Sequence, residues 1–166
     1  MTGAPRIRTD RLELAPLEPG HAAEMVEVLA DPALYGFTGG VPPALRDLDA
    51  RYRAWATGSP RPSETWLNWV VRLGDDGPAI GHLQATVVDD GQAADIAWLI
   101  GTEWQGRGYA SEAARALVSW LEESGVGEIT AHIHAGHLAS GQVAAAAGLA
   151  PTAEIGGGEV VWRRSR

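Results

Sequence analysis

The run Asp95-Ile96-Ala97-Trp98-Leu99-Ile100-Gly101-Thr102-Glu103-Trp104-Gln105-Gly106-Arg107-Gly108-Tyr109-Ala110 decides how the chain is read. Its first six residues are mostly apolar, as in a strand covered on both faces at the centre of a sheet. From Tyr109 to Glu123 the period changes. Ala110, Ala113, Ala114, Leu117, Val118 and Leu121 recur at helical spacing and form one apolar face. Between strand and helix stand two glycines with an arginine between them. Small residues let a backbone approach a ligand closely. The first-turn N–H groups of a helix lack internal partners and carry partial positive charge. A strand, a glycine turn and a helix start together make a cradle for a phosphate or pyrophosphate, with Arg107 supplying formal charge.

Working outward, Trp66 to Leu73 and Ala79 to Val88 read as strands joined by Asp75-Asp76-Gly77-Pro78, and Asp89-Asp90-Gly91 turns the second into Asp95–Ile100. Three strands with such short turns pair antiparallel. The strand–helix–strand unit that follows, closing with Glu128 to His134, is parallel. Upstream, Arg11 to Leu17 alternates as a strand. His21–Leu29 and Pro43–Ala56 read as helices, the second with Leu45, Leu48, Tyr52 and Trp55 on one side. Downstream, Leu138–Ala147 is a helix stopped by Gly148, and Thr152–Ile155 with Glu159–Arg164 is a hairpin around three glycines. The expected order is β-α-α-β-β-β-α-β-α-β-β in one α+β domain over 1–166, with a mixed, mostly antiparallel sheet flanked by helices.

Composition narrows the chemistry. The chain has 166 residues, a formal net charge of -8 and no cysteine, so disulfides, thiolate metal sites and a cysteine nucleophile are excluded. Its 13 basic residues are all arginine. That removes a P-loop lysine and a Schiff-base lysine and leaves phosphate to arginine, backbone N–H groups or a helix N-terminus. The acidic balance argues against nucleic acid and mildly for a cationic partner such as an amine. No apolar leader follows Met1-Thr2, and no run reaches the ~18 residues of a spanning helix. The expectation is a cytoplasmic protein that does not bind membranes.

Three phosphate-binding motifs compete for the glycine turn. A P-loop requires lysine and a hydroxyl residue where Tyr109-Ala110 stand. A dinucleotide fingerprint requires a third Gly or Ala where Ser111 stands and an acidic residue ending the next strand, where Ala131-His132-Ile133-His134 has none. The acyl-CoA pattern Gln/Arg-x-x-Gly-x-Gly/Ala is met throughout by Gln105-Gly106-Arg107-Gly108-Tyr109-Ala110.

On these residues the chain resembles the GNAT N-acetyltransferases of the RimJ/RimL type, over nearly its whole length. Thr9-Asp10-Arg11-Leu12-Glu13-Leu14 is similar to that branch's T-x-R-L-x-L opening. Ile80-Gly81-His82-Leu83 is similar to its I-G-x-x strand, and His137-Leu138-Ala139-Ser140 through Val143 to Gly148-Leu149 to its N-x-A-S…V…G-F/L element. The resemblance implies the GNAT fold and transfer of acetyl from acetyl-CoA, a cosubstrate, to a primary amine by direct attack in a ternary complex. The acceptor would be a protein N-terminal α-amine or a small-molecule amine. No metal is implied. Backbone groups of Trp98, Leu99 and Ile100 would bind the pantetheine arm, and those of Gln105, Gly106, Arg107, Gly108, Tyr109 and Ala110 the pyrophosphate. Ser140 would protonate or hydrogen-bond the leaving thiolate. The family's usual asparagine is His137 here, so that cofactor contact departs from the pattern. The Phe37–Pro43 loop stands where the family often builds its acceptor site.

Plainer readings stand beside these. Ser140 also suits a helix cap or first turn. Asp95 is either a general base, direct or through water, or a solvated strand end. Glu112 reads as a surface residue matched to the helix dipole, and Arg115 as a solvated helix face. A non-catalytic acyl-CoA binder is the second function class. The third is a metal-dependent hydrolase using His132, His134 and His137, since H-x-H puts two imidazoles on one strand face. Seven tryptophans leave room for an acceptor pocket or a homodimer seam.

Overall fold

The computed structural model describes residues 3–165; residues 1, 2 and 166, the ends of the expected 1–166 unit, lie outside the described residues. The strands are β1 (Ile7–Arg8), β2 (Leu12–Pro16), β3 (Thr65–Leu73), β4 (Ala79–Val88), β5 (Ala93–Ile100), β6 (Glu128–His134), β7 (Ala150–Gly156) and β8 (Glu159–Ser165). The helices are α1 (Ala22–Val28), α2 (Leu45–Thr57), α3 (Tyr109–Glu123) and α4 (Leu138–Ala146). All strands form one eight-stranded sheet in the order β1-β2-β3-β4-β5-β6-β8-β7. Only β5 and β6 pair parallel, across the α3 crossover, and every other neighbour is antiparallel. The mixed, mostly antiparallel α+β architecture expected from the sequence is the one observed. Among the described residues no helix is long and apolar enough to cross a membrane.

Each face of the sheet carries its own core. On one face Leu83, Ile96, Ile129 and Ile133 pack against Ala113, Ala114, Leu117 and Leu121 of α3 and Ala144 of α4. On the other, Val70 and Ala79 pack against Met25 of α1 and Leu48 and Tyr52 of α2. The apolar period of α3 is thus the imprint of the first core. Leu45 departs from expectation. As the first residue of α2 it is exposed, because the buried stripe begins a turn later at Leu48. The sequence also hides β1, two residues long with an arginine, which extends the sheet only as a partner for Leu14 and Glu13.

The decisive feature lies at β5. Its ladder with β4 is complete, from Val88↔Ala93 to Gly81↔Ile100. Its ladder with β6 holds only Ala93↔Glu128, Ala94↔Ile129 and Asp95↔Thr130. β6 keeps β8 along its whole length, to His134↔Glu159. Each strand therefore stays with its outer partner, and the sheet opens between them beyond Asp95. Close approach on the β4 side explains Gly81, where a Cβ would stand 2.1 Å from the Leu99 carbonyl oxygen.

Candidate active site

β5 leads directly into the glycine turn. A 3-10 turn over Thr102–Trp104 follows Gly101, and α3 starts at Tyr109. Gly106 and Gly108 have φ of +76° and +80°, the left-handed region that a side chain disfavours. A Cβ on Gly106 would meet nothing within 4 Å, so its need for glycine is conformational. No side chain caps α3, which leaves its first N–H groups facing outward. The Gln105 amide donates to the Ile100 carbonyl at 2.9 Å, tying the turn to the end of β5. Arg107 is exposed, its guanidinium 5.7 Å from the centre of the Trp104 ring.

Arg11 holds this turn from across the sequence. Its Nη1 donates to the Arg107 carbonyl at 2.9 Å, its Nε to Glu112 at 2.6 Å, and its guanidinium lies 4.6 Å above the Tyr109 ring. Because peptide C=O and N–H point in opposite directions, a carbonyl turned to Arg11 aims the Gly108 N–H away from it. Glu112 corrects the surface reading. Its side chain is only 13% exposed and accepts from the Thr9 hydroxyl, the Arg11 N–H and the Arg11 guanidinium. Burial pushes its carboxyl up, but these donors prevail and hold it below the ordinary 4.5. Arg115 is exposed, as expected.

Trp98, Leu99 and Ile100 lie on β5 beyond its last pair with β6, so their backbone borders the opening. The Trp98 side chain packs into the first core and Leu99 against the second. At the far rim, His137 precedes α4 and Ser140 is in its first turn. Ser140 is not the cap. Its hydroxyl lies 3.4 Å from His137 Nε2. The His137 ring stacks on Phe37 at 4.4 Å and 11°, which brings the Phe37–Pro43 loop to this rim. Burial, and then nearby His134, lowers the His137 imidazole below 6.5 and favours its neutral form.

Asp95 is neither the start of its strand nor a free strand end. It is the third residue of β5, because Ala93 and Ala94 already pair on both sides. Its Oδ1 accepts from the Thr130 hydroxyl at 2.9 Å and contacts His132 Nδ1 at 2.9 Å. Among the described residues no hydrogen bond joins Asp95 to Ser140, and no group of three potential ligands converges as a metal would require. His132 turns to Asp95, while the His134 Nδ1 accepts from the Gly136 N–H at 3.0 Å.

A polar cluster that the sequence reading did not single out lies beside Leu99. His82, its β4 partner, has a buried Nδ1 without a hydrogen-bond partner, and so does the Tyr52 hydroxyl of α2. The Trp55 ring contacts both side chains, its centre 5.5 Å from that of Tyr52 and 6.4 Å from that of His82. Burial pushes His82 down to about 4 and Tyr52 up to about 12.

Comparison with known proteins bears on this arrangement. The family description "Acetyltransferase (GNAT) domain" matches residues 11–150. No curated protein matches. Among solved structures, the chain is similar to a GNAT-family acetyltransferase from Bacillus anthracis, with TM-score 0.78, 19% identity, and 97% of this chain and 98% of that one covered. RimL, a ribosomal L7/L12 alpha-N-protein acetyltransferase solved with coenzyme A, gives TM-score 0.80, 17% identity, and coverage of 97% and 98%. AAC(6')-Ib, solved with paromomycin and acetyl-CoA, gives TM-score 0.76, 22% identity, and coverage of 95% and 94%. At these identities the structures speak for the shared fold.

Proposed function

The chain belongs to the GNAT acetyltransferase family, and from that premise we propose that it transfers acetyl from acetyl-CoA to a primary amine within a ternary complex. One observation carries the reading. β5 parts from β6 after Asp95 and runs, still paired with β4, into a glycine turn that opens α3. An extended thioester arm fits along the backbone of Trp98, Leu99 and Ile100, with its pyrophosphate on the N–H groups from Gln105 to Ala110. Arg107 adds charge at the same end. His137, in place of the family's asparagine, borders the arm at the rim of α4.

The amine nitrogen attacks the thioester carbonyl and the carbon–sulfur bond breaks. A β5 backbone N–H beside the opening suits the developing oxyanion. Ser140 serves the departing thiolate by donating its hydroxyl proton or a hydrogen bond, with neutral His137 as its neighbour. Asp95 acts on the amine side, through the residue that it orients. The acceptor is an N-terminal α-amine or a small-molecule amine. Structural neighbours of both kinds exist, one described as an alpha-N-protein acetyltransferase and one solved with paromomycin. The net charge of -8 favours a cationic acceptor of either sort.

Calorimetric titration with acetyl-CoA tests the cosubstrate site. Micromolar binding is expected, and Gly108→Trp should abolish it. Thiol release across a panel of peptides and small amines then identifies the acceptor. Binding with no release on any amine would leave the chain as an acyl-CoA binder without turnover.

A further inference from the structure

We propose that His132, oriented by Asp95, takes the proton from the acceptor ammonium; this rests on the acetyl-transfer reading above. Thr130 makes the last pair between β5 and β6, and His132 is the next residue on the same face of β6. Its ring therefore stands where the two strands begin to part, on the face opposite the Ile129–Ile133 core. There 51% of the side chain is exposed.

The tautomer follows from the contact. A carboxylate only accepts, so the His132 Nδ1 at 2.9 Å is the donor, and in the neutral ring this leaves Nε2 with the lone pair. The Thr130 hydroxyl, on the same Oδ1, fixes the carboxylate that fixes the ring. Asp95 acts here through the ring that its Oδ1 holds, and so is a positioning residue. An imidazole is also closer in basicity to an amine than a carboxylate is. Other charged or titratable groups on this face include Glu128 and His134 of β6, Arg163 and Glu159 of β8, opposite Thr130 and His134, Glu154 of β7 against Arg163, and His82 of β4, two same-face pairs beyond the Asp95 pair. Arg163 is held by Glu154 at 2.5 Å and Glu128 at 3.5 Å. Asp95 is the carboxylate in contact with the ring, and its charge suits an approaching ammonium.

The step balances. The ammonium gives one proton to Nε2, and the free amine attacks the thioester carbon. As the new C–N bond forms and the C–S bond breaks, the nitrogen's next proton passes to the thiolate, directly or through Ser140. His132 then releases its proton to water.

The test uses steady-state transfer to an amine that the wild type accepts. His132→Gln should lower kcat by about 10²-fold with the acetyl-CoA KM unchanged, and should lose the acid limb of the pH–rate profile. Added imidazole should restore part of the rate to His132→Ala. Asp95→Asn should also lower kcat while sparing acetyl-CoA binding. Full kcat and an unchanged pH profile in His132→Gln would overturn the assignment and leave the acetyl-transfer reading intact. So would a loss that imidazole does not rescue and that leaves the acid limb in place, the mark of a structural role. A wild type that binds acetyl-CoA but acetylates no amine would overturn both.

Discussion

Glu112 stands in the first turn of α3, where the helix field alone would favour a carboxylate. Its larger role is to receive Thr9 and Arg11 from the start of the chain. Because its carboxyl is held below its ordinary 4.5 in the folded protein, the stability it contributes is complete above that value and is lost as pH falls through the lower folded value. Acid unfolding of Glu112→Gln should therefore depend less on pH below about 4.5 than that of the wild type. Near neutrality, chemical denaturation should show a loss of about 1–3 kcal/mol for Glu112→Ala. At the opposite rim, Ser140→Ala should slow turnover by about tenfold or more, with acetyl-CoA affinity nearly unchanged. A variant with full kcat would remove Ser140 from the chemistry. The sequence shows the glycine turn because its chemistry is local: two left-handed positions and a helix start within a few residues. It does not show Arg11 reaching Arg107 or Asp95 meeting His132. Those contacts join positions far apart in the chain and exist only in the folded register.

Among elements, α3 was the most legible, because its one apolar face repeats over four turns against a single partner layer. The antiparallel run from β3 to β5 was legible through its turn residues. β1 was not, since two residues carry no period. Nor was the start of β5, where small Ala93 and Ala94 look like turn residues until both flanking strands are in place. The seam between α2 and β4 yields a pH test. Unfolded, His82 takes up a proton near 6.5; folded, burial delays this to about 4. Its neutral form is thus the one the fold tolerates, and stability should fall as pH drops from 6.5 through about 4. Replacing the unpartnered ring, as in His82→Leu, should flatten that part of the stability–pH curve measured by thermal unfolding. His21 and His137, both lowered by burial first, act in the same direction and will leave a residual slope.

At the scale of the molecule, a net charge of -8 implies long-range attraction for the cationic acceptor proposed above. For a cationic acceptor, kcat/KM should fall as salt is raised, while kcat at saturation changes little. A neutral acceptor analogue should show no such slope. The sheet itself is two half-sheets that share the three pairs Ala93↔Glu128, Ala94↔Ile129 and Asp95↔Thr130. Of the backbone amides along Trp98–Ile100, those that face away from β4, Trp98 and Ile100, should exchange hydrogen readily in the empty protein and slow when acetyl-CoA is added. An occupant lying between the halves then acts as a fastener as well as a reactant. At a hundred times its Kd it would add about 2.7 kcal/mol to the stability of the folded chain. How long the protein lasts against heat or proteases would thus track how much of its own feedstock is at hand.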